Sequence, residues 1–344
     1  MIRLPSELVG RVRESYDARR VCVTGGAGFI GGHLVDALLS LGASVRVIDD
    51  LSNSTLEHLS ELIELEPKRL RFVHGSILED RALREALDGC DRVFHLAALG
   101  SVPRSIEEPE RTWEVNATGT LRVLEAARSC GVERVIYSAS SSAYGDTPKL
   151  PKAESDATQP ASPYAASKLA GEGLCRAWSE SYGLQTMSLR YFNIFGPRQP
   201  ADSAYAAVIA AFVRRLSAGQ TPVVYGDGEQ SRDFTYVSNA VGANLLAGAS
   251  KREPRGEVVN IGAGDRVTIN ELLERIADKM GRSGVRADFQ APRAGDVRHS
   301  QADLSRAREL LGYRPFASLA QGLEETVAWF EEAATTSGDH GAGS

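Results

Sequence analysis

A tyrosine and a lysine stand four positions apart in Ser162-Pro163-Tyr164-Ala165-Ala166-Ser167-Lys168. That spacing puts both side chains on one helix face, a single turn apart. A free phenol titrates near ~10, so a tyrosine is a base at neutral pH only where positive charge stabilises its anion. Lys168 is a source of that charge. Ser140, which opens Ser140-Ser141-Ser142 after an apolar run, offers a hydroxyl to the same substrate oxygen. A second stretch, Thr24-Gly25-Gly26-Ala27-Gly28-Phe29-Ile30-Gly31, follows a strand-like run and opens a helix. There Gly25, Gly28 and Gly31 permit a tight turn, close approach of a pyrophosphate and close helix–strand packing. The helix N-terminus faces the phosphates with free N–H groups. Asp49, 18 residues after Gly31, is placed to bind the adenosine ribose hydroxyls and to repel a 2′-phosphate, favouring NAD over NADP. The blander readings are a ligand-free glycine turn and a solvated helix face. Taken together, the residues favour proton and hydride chemistry on alcohols and ketones.

These residues need a scaffold, and the pattern supplies one. Val21–Val23, Val45–Ile48, Leu70–Val73, Arg92–Leu96 and Val135–Tyr137 read as strands, separated by helical stretches ending at Gly42, Gly131 and Gly183. One helix is expected from Pro109 to Cys130, and another from Ser162 to Tyr182 with Ser162 as its cap. Such alternation predicts an α/β fold, a Rossmann-type doubly wound parallel sheet with right-handed crossovers. Residues 1–19 read as an N-terminal extension and 20–190 as the dinucleotide-binding domain. Residues 191–334 read as a smaller α/β substrate lobe interleaved with the first, and 335–344 as a disordered tail.

Composition narrows the function classes. Of 344 residues, 42% are apolar and 24% charged, with 39 Lys and Arg against 45 Asp and Glu. That balance favours neither nucleic acid nor an anionic membrane surface. Met1 to Arg20 lacks the apolar core of a signal peptide, and no stretch is long and apolar enough to span a bilayer. Cys22, Cys90, Cys130 and Cys175 show no CxxC spacing, so the expectation is reduced thiols in the cytoplasm and no metal site.

The glycine fingerprint, Asn116, Ser140, Tyr164-xxx-Lys168 and Arg190-Tyr191-Phe192-Asn193 resemble the extended short-chain dehydrogenase/reductase family over roughly residues 20 to 330. Within it the chain is similar to nucleotide-sugar 4-epimerases, especially the UDP-N-acetylglucosamine 4-epimerase group. Leu99-Gly100-Ser101-Val102-Pro103-Arg104-Ser105, Ser140 to Gly145 and Gly295-Asp296-Val297-Arg298-His299-Ser300 carry that likeness. The resemblance implies NAD contacts at the three glycines, Phe29, Ile30, Asp49, Asn53, Ser76, Ile77, Ala97, Ala98 and Leu99. Asn116 and Lys168 would hold the nicotinamide ribose. It implies Tyr164 as the base, and a UDP clamp of Asn193, Arg232 and Arg298, with Tyr225 on uracil and Arg293 and Asp296 nearby. The alternatives are surface salt bridges for the arginines and core packing for Tyr225.

Gly100, Ser101, Arg104, Ser140, Ser141, Ser142 and Ala207 would face the sugar, and Ser300 would leave room for a 2-acetamido group. Dehydratases and decarboxylases of the family carry acids where this chain has Ser141 and Ser142. Where the family commonly has Gly-Asp-Ile at adenine, the chain has Gly75-Ser76-Ile77. The implied activity is NAD-dependent 4-epimerisation of UDP-N-acetylglucosamine by a homodimer paired through helices 109–130 and 162–182. Still open are a 4-epimerase of UDP-glucose or UDP-uronic acids, a dehydratase or decarboxylase, and a nonenzymatic binding protein.

Overall fold

The computed structural model describes residues 2–200, 207–293 and 296–338. Seven strands form one parallel sheet: β1 (Arg20–Thr24), β2 (Ser44–Asp49), β3 (Leu70–His74), β4 (Arg92–His95), β5 (Arg134–Ser140), β6 (Gln185–Tyr191) and β7 (Arg255–Ile261). Their order is β7-β6-β5-β4-β1-β2-β3, every pairing parallel. The chain changes direction across the sheet between β1 and β4, and the carboxyl ends of strands at such a point form a ligand crevice. All five expected strands are present.

Alternation along the strands divides the core into two layers. Val21, Val23, Phe94 and Ile136 pack with α1 (Ser6–Val12), α2 (Phe29–Ser40) and α10 (Val237–Ala249) on one face. Cys22, Val93, Val135 and Tyr137 pack on the other with α4 (Asp80–Leu87), α7 (Gly119–Ser129) and α8 (Pro163–Tyr182). Helices α3 (Glu57–Leu65), α5 (Val102–Glu107) and α6 (Pro109–Trp113) complete the first half. The second half adds α9 (Val208–Ser217), α11 (Ile269–Lys279), α12 (Ser305–Leu311) and α13 (Leu319–Gly338).

Helix α8 begins and ends as its sequence dictates. The Ser162 hydroxyl accepts from the Ala165 N–H at 3.1 Å, Pro163 occupies the first turn, and Gly183 takes the left-handed conformation at φ +71°. The helix expected from Pro109 to Cys130 is instead broken by a wide π-type turn at Glu114–Thr118. Two other expectations change. The N-terminal segment is part of the core: Leu8, Val12 and Tyr16 are buried, and the Tyr16 hydroxyl donates to the Leu245 carbonyl at 2.7 Å. At the other end α13 continues through Gly338, into the stretch read as a tail; residues 339–344 lie outside those described. Both α10 and β7 come from the second half of the chain yet join the sheet and core built by the first half.

Candidate active site

The glycine turn after β1 is built for close contact. Gly25 sits at φ +70°, and a Cβ there would lie 2.6 Å from the Ala97 nitrogen. A Cβ on Gly31 would lie 2.1 Å from the Gly25 carbonyl oxygen. Any side chain at either position would collide with backbone, so the turn fits a ligand that approaches the main chain. Asp49, at the end of β2, accepts from the Ala27 N–H at 3.0 Å and from the Leu51 N–H and Ser54 hydroxyl at 2.9 Å. Its carboxylate therefore ties the glycine turn to the next loop and stands in the cavity wall.

That cavity, about 760 Å³, runs from the glycine turn past the ends of β4 and β5 into the second lobe. Its wall contains every expected site residue except Ser76, Asn116, Tyr225, Arg293 and Arg298. Tyr164 and Lys168 rise from α8 beside Ser140 at the end of β5. Burial raises the Tyr164 phenol above its ordinary value, and a hydrogen bond with Ser140 draws it part of the way back. The Lys168 ammonium donates to the Ser138 carbonyl at 2.8 Å and lies 5.0 Å from the Tyr137 ring centre. Burial lowers it to about 8, against the pull of Cys175 and Glu172. Ser140 also accepts from the Ser142 N–H at 3.2 Å and the Ser142 hydroxyl at 2.8 Å, which fixes its rotamer. Further along α8, Glu172 holds Arg190 of β6 through two bonds of 2.7 and 2.8 Å, both side chains buried.

The five expected residues outside that wall have partners within the protein. Expected at the nicotinamide ribose, Asn116 is buried in the π turn with its amide committed to protein: Oδ1 accepts from the Leu99 N–H at 2.8 Å, and Nδ2 donates to the Leu99 carbonyl and to Ser167. It positions the Leu99 loop against α8. Ser76, expected at adenine, accepts from the Leu78 N–H at 3.3 Å, while its neighbours Gly75 and Ile77 line the cavity. Arg298 forms a bidentate pair with Asp227 at 2.7 and 2.9 Å, and Arg293 lies 3.8 Å over the Tyr225 ring. Arg232, in the wall, is paired with Asp296. Both clamp arginines thus have carboxylate partners in this structure, Arg298 at the surface and Arg232 buried. Gly295 lies outside the described residues.

The wall also holds side chains that sequence reasoning did not single out. His299 lies within a motif already quoted, and its Nδ1 is 2.8 Å from the Ser231 hydroxyl. Lys152 stands in a charged loop, Lys149 to Asp156, that reads as solvated, yet it is buried in the wall.

The NAD dependent epimerase/dehydratase family matches residues 21–262. A UDP-glucose 4-epimerase of Mycolicibacterium smegmatis is 39% identical over 313 residues, 90% of this chain and 98% of that one. A UDP-N-acetylglucosamine 4-epimerase of Methanobrevibacter ruminantium, solved with UDP-N-acetylmuramic acid, superposes with a TM-score of 0.85 at 40% identity, covering 92% of this chain and 99% of that one. A dTDP-glucose 4,6-dehydratase of Streptomyces venezuelae, solved with NAD, gives 0.85 at 35% identity, covering 92% and 98%. The resemblance read from the motifs is borne out, and so is the Rossmann-type sheet. A glycine turn that excludes side chains and leaves backbone open to a ligand, with an acid at the end of β2 and a Ser–Tyr–Lys set in the same cavity wall, fits the NAD with which the dehydratase was solved. The chain is an NAD-dependent enzyme and belongs to the NAD dependent epimerase/dehydratase family.

Proposed function

We propose that the chain interconverts UDP-N-acetylglucosamine and UDP-N-acetylgalactosamine by NAD-dependent 4-epimerisation through a 4-keto sugar. The observation that carries this reading is the sugar end of the cavity. Gly100, Ser101, Ala207 and Ser300 all present small groups there, and Ser141 and Ser142 stand where the lyase branches carry acids. A serine offers no proton with the acidity that elimination at C5 or C6 requires.

Tyr164 takes the proton from the sugar O4, and Ser140 hydrogen-bonds that oxygen. Lys168 supplies the positive charge that favours the phenolate. NAD held at the glycine turn would supply reversible hydride acceptance at C4, so the reaction would involve no net redox. The ketone must turn between the two transfers, which requires that the nucleotide end hold most of the binding energy. We assign that end to Asn193 and Arg232 in the cavity wall and to Arg298, Tyr225 and Arg293, which lie outside the wall in this structure, with diphosphate oxygens replacing Asp227 and Asp296 as partners of the arginines.

One pocket contact discriminates by only ~1–3 kcal/mol, so UDP-glucose is expected to react as well, more slowly. The exposed Ile106, Trp113, Leu121 and Tyr182 on α5 to α8 support a homodimer. We place the enzyme in the cytoplasm, which four unpaired cysteines support. No helix among the described residues is long and apolar enough to cross a membrane.

Proton NMR of the purified protein with UDP-N-acetylglucosamine, without added reductant, tests the proposal. The galacto isomer should grow to a fixed ratio. Conversion of UDP-glucose alone would overturn the acetamido reading, and a 4-keto-6-deoxy product would establish a dehydratase.

A further inference from the structure

Lys152 has the wrong surroundings for a structural lysine. Its residue is 2% exposed, and it stands in the cavity wall with Ser142, Gly145, His299 and Ser300. A buried ammonium is stable only when paired or fully hydrogen-bonded. The two carboxylates near it are committed elsewhere. Asp156 pairs with Lys149 and accepts from the Ala153 N–H at 2.8 Å, and Asp146 accepts from the Arg298 N–H at 2.7 Å. Among the described residues no carboxylate forms an ion pair with Lys152; its ammonium donates to the carbonyl and hydroxyl of Thr147. An ammonium has three donors, so one remains. Burial lowers its affinity for the proton, and the nearby charges of Asp156 and Asp146 restore it only in part.

The backbone around Lys152 is fixed next to the sugar pocket. Its N–H donates to the Gln301 carbonyl and its carbonyl accepts from the Asp303 N–H, both at 2.8 Å, just beyond Ser300. The Asn260 amide donates to the same carbonyl at 2.8 Å. Ser300 itself donates to the Ser231 carbonyl at 3.0 Å, and Ser231 pairs with His299. The backbone of Lys152 is thus joined to the segment from Gln301 to Asp303, and Lys152, His299 and Ser300 stand in one cavity wall.

We propose that Lys152 is a specificity-determining residue whose ammonium receives an acidic substituent of the sugar, so that the site prefers UDP-2-acetamido sugars bearing a carboxylate over their neutral counterparts. The inference rests on the UDP-sugar reading above and adds the charge of the sugar to it. A ligand carboxylate would provide the counterion that the protein withholds, at no cost in newly buried lysine. A neutral sugar has no charge to place there, so its affinity owes little to this ammonium.

The test is calorimetric titration of the NAD-loaded protein with UDP-N-acetylglucosamine and with UDP-N-acetylglucosaminuronate, at fixed salt. Wild type should bind the acid about tenfold tighter or better, the scale of one charge-assisted hydrogen bond. Lys152→Met should abolish that preference while changing affinity for the neutral sugar less than about threefold, and Lys152→Arg should keep part of it. Equal affinities in wild type would overturn the proposal whatever the variants do. Equal weakening of both ligands in Lys152→Met would overturn it too, and would assign Lys152 to holding the Thr147 loop. NMR on the same samples separates the two readings. Preference for the acid without any 4-epimer would sink the epimerase assignment and leave Lys152 standing, whereas epimerisation without preference would do the reverse.

Discussion

At the scale of single residues the proposed chemistry depends on how a buried tyrosine loses its proton. Burial opposes the phenolate of Tyr164, and Ser140 opposes burial. Tyr164→Phe removes only the hydroxyl, so turnover should fall by ~10²–10⁴-fold while UDP affinity, measured by calorimetry, stays within a factor of two or so. Lys168 carries a pH signature of its own. Its ammonium titrates at about 8 in the folded cofactor-free protein against 10.5 ordinarily. Below about pH 8 both states hold the proton, and the folded state bears the full penalty of the buried charge. Between about pH 8 and 10.5 the unfolded chain keeps a proton that the folded chain has released, so this group makes folding more favourable as pH rises. Urea melts across that range should show the rise in the cofactor-free wild type, and Lys168→Met should lack it. Both residues were legible from their spacing. Lys152 was not, because a lysine among Lys149, Glu154 and Asp156 looks like any solvated loop charge, and only the fold turns it inward.

At the scale of elements the site depends on how α8 is held to the sheet. Glu172 and Arg190 join it to β6 as a fully buried bidentate pair, with Arg190 4.6 Å over the Tyr144 ring. Removing one charge strands the other, so Glu172→Gln should cost about 3–5 kcal/mol in urea unfolding. The π turn is the second device. An uninterrupted α-helix from Pro109 is what the residue pattern suggests, since helix propensity and apolar period do not register one extra residue in a turn. The widened turn commits the Asn116 amide to Leu99 and Ser167, a pairing that requires two other segments to be in place. Asn116→Ala should leave the Leu99 N–H without its buried acceptor and cost about 1–3 kcal/mol, with NAD released more readily on gel filtration.

At the scale of the whole molecule, the N-terminal helix and the second half of the chain complete layers begun by the first half. Leu8 is buried against the core and Arg11 donates to the Leu311 carbonyl at 3.1 Å, so α1 bridges the body and α12. Leu8→Ala should therefore lower unfolding stability by about 2–5 kcal/mol; a change near zero would mean that the segment frays independently. The exposed apolar side chains on α5 to α8 belong to this scale as well. Light scattering should give a dimer, and Trp113→Glu should give a monomer that keeps its fold. The sequence by itself determined the local items: the parallel alternation, the glycine turn, the capped helix carrying Tyr164 and Lys168, and Ser140 at a strand end. Each is set by neighbours within a few residues, through backbone sterics, side-chain period and capping. The tertiary structure alone decided what depends on partners distant in the chain. It turned Asn116 and Ser76 to backbone groups, paired Arg232 and Arg298 with carboxylates, drew β7 into the sheet and buried Lys152 beside the sugar pocket. Hydrogen bonds and ion pairs of that kind are chosen by which groups the packed fold brings within about 3 Å of each other, and no local pattern records that distance.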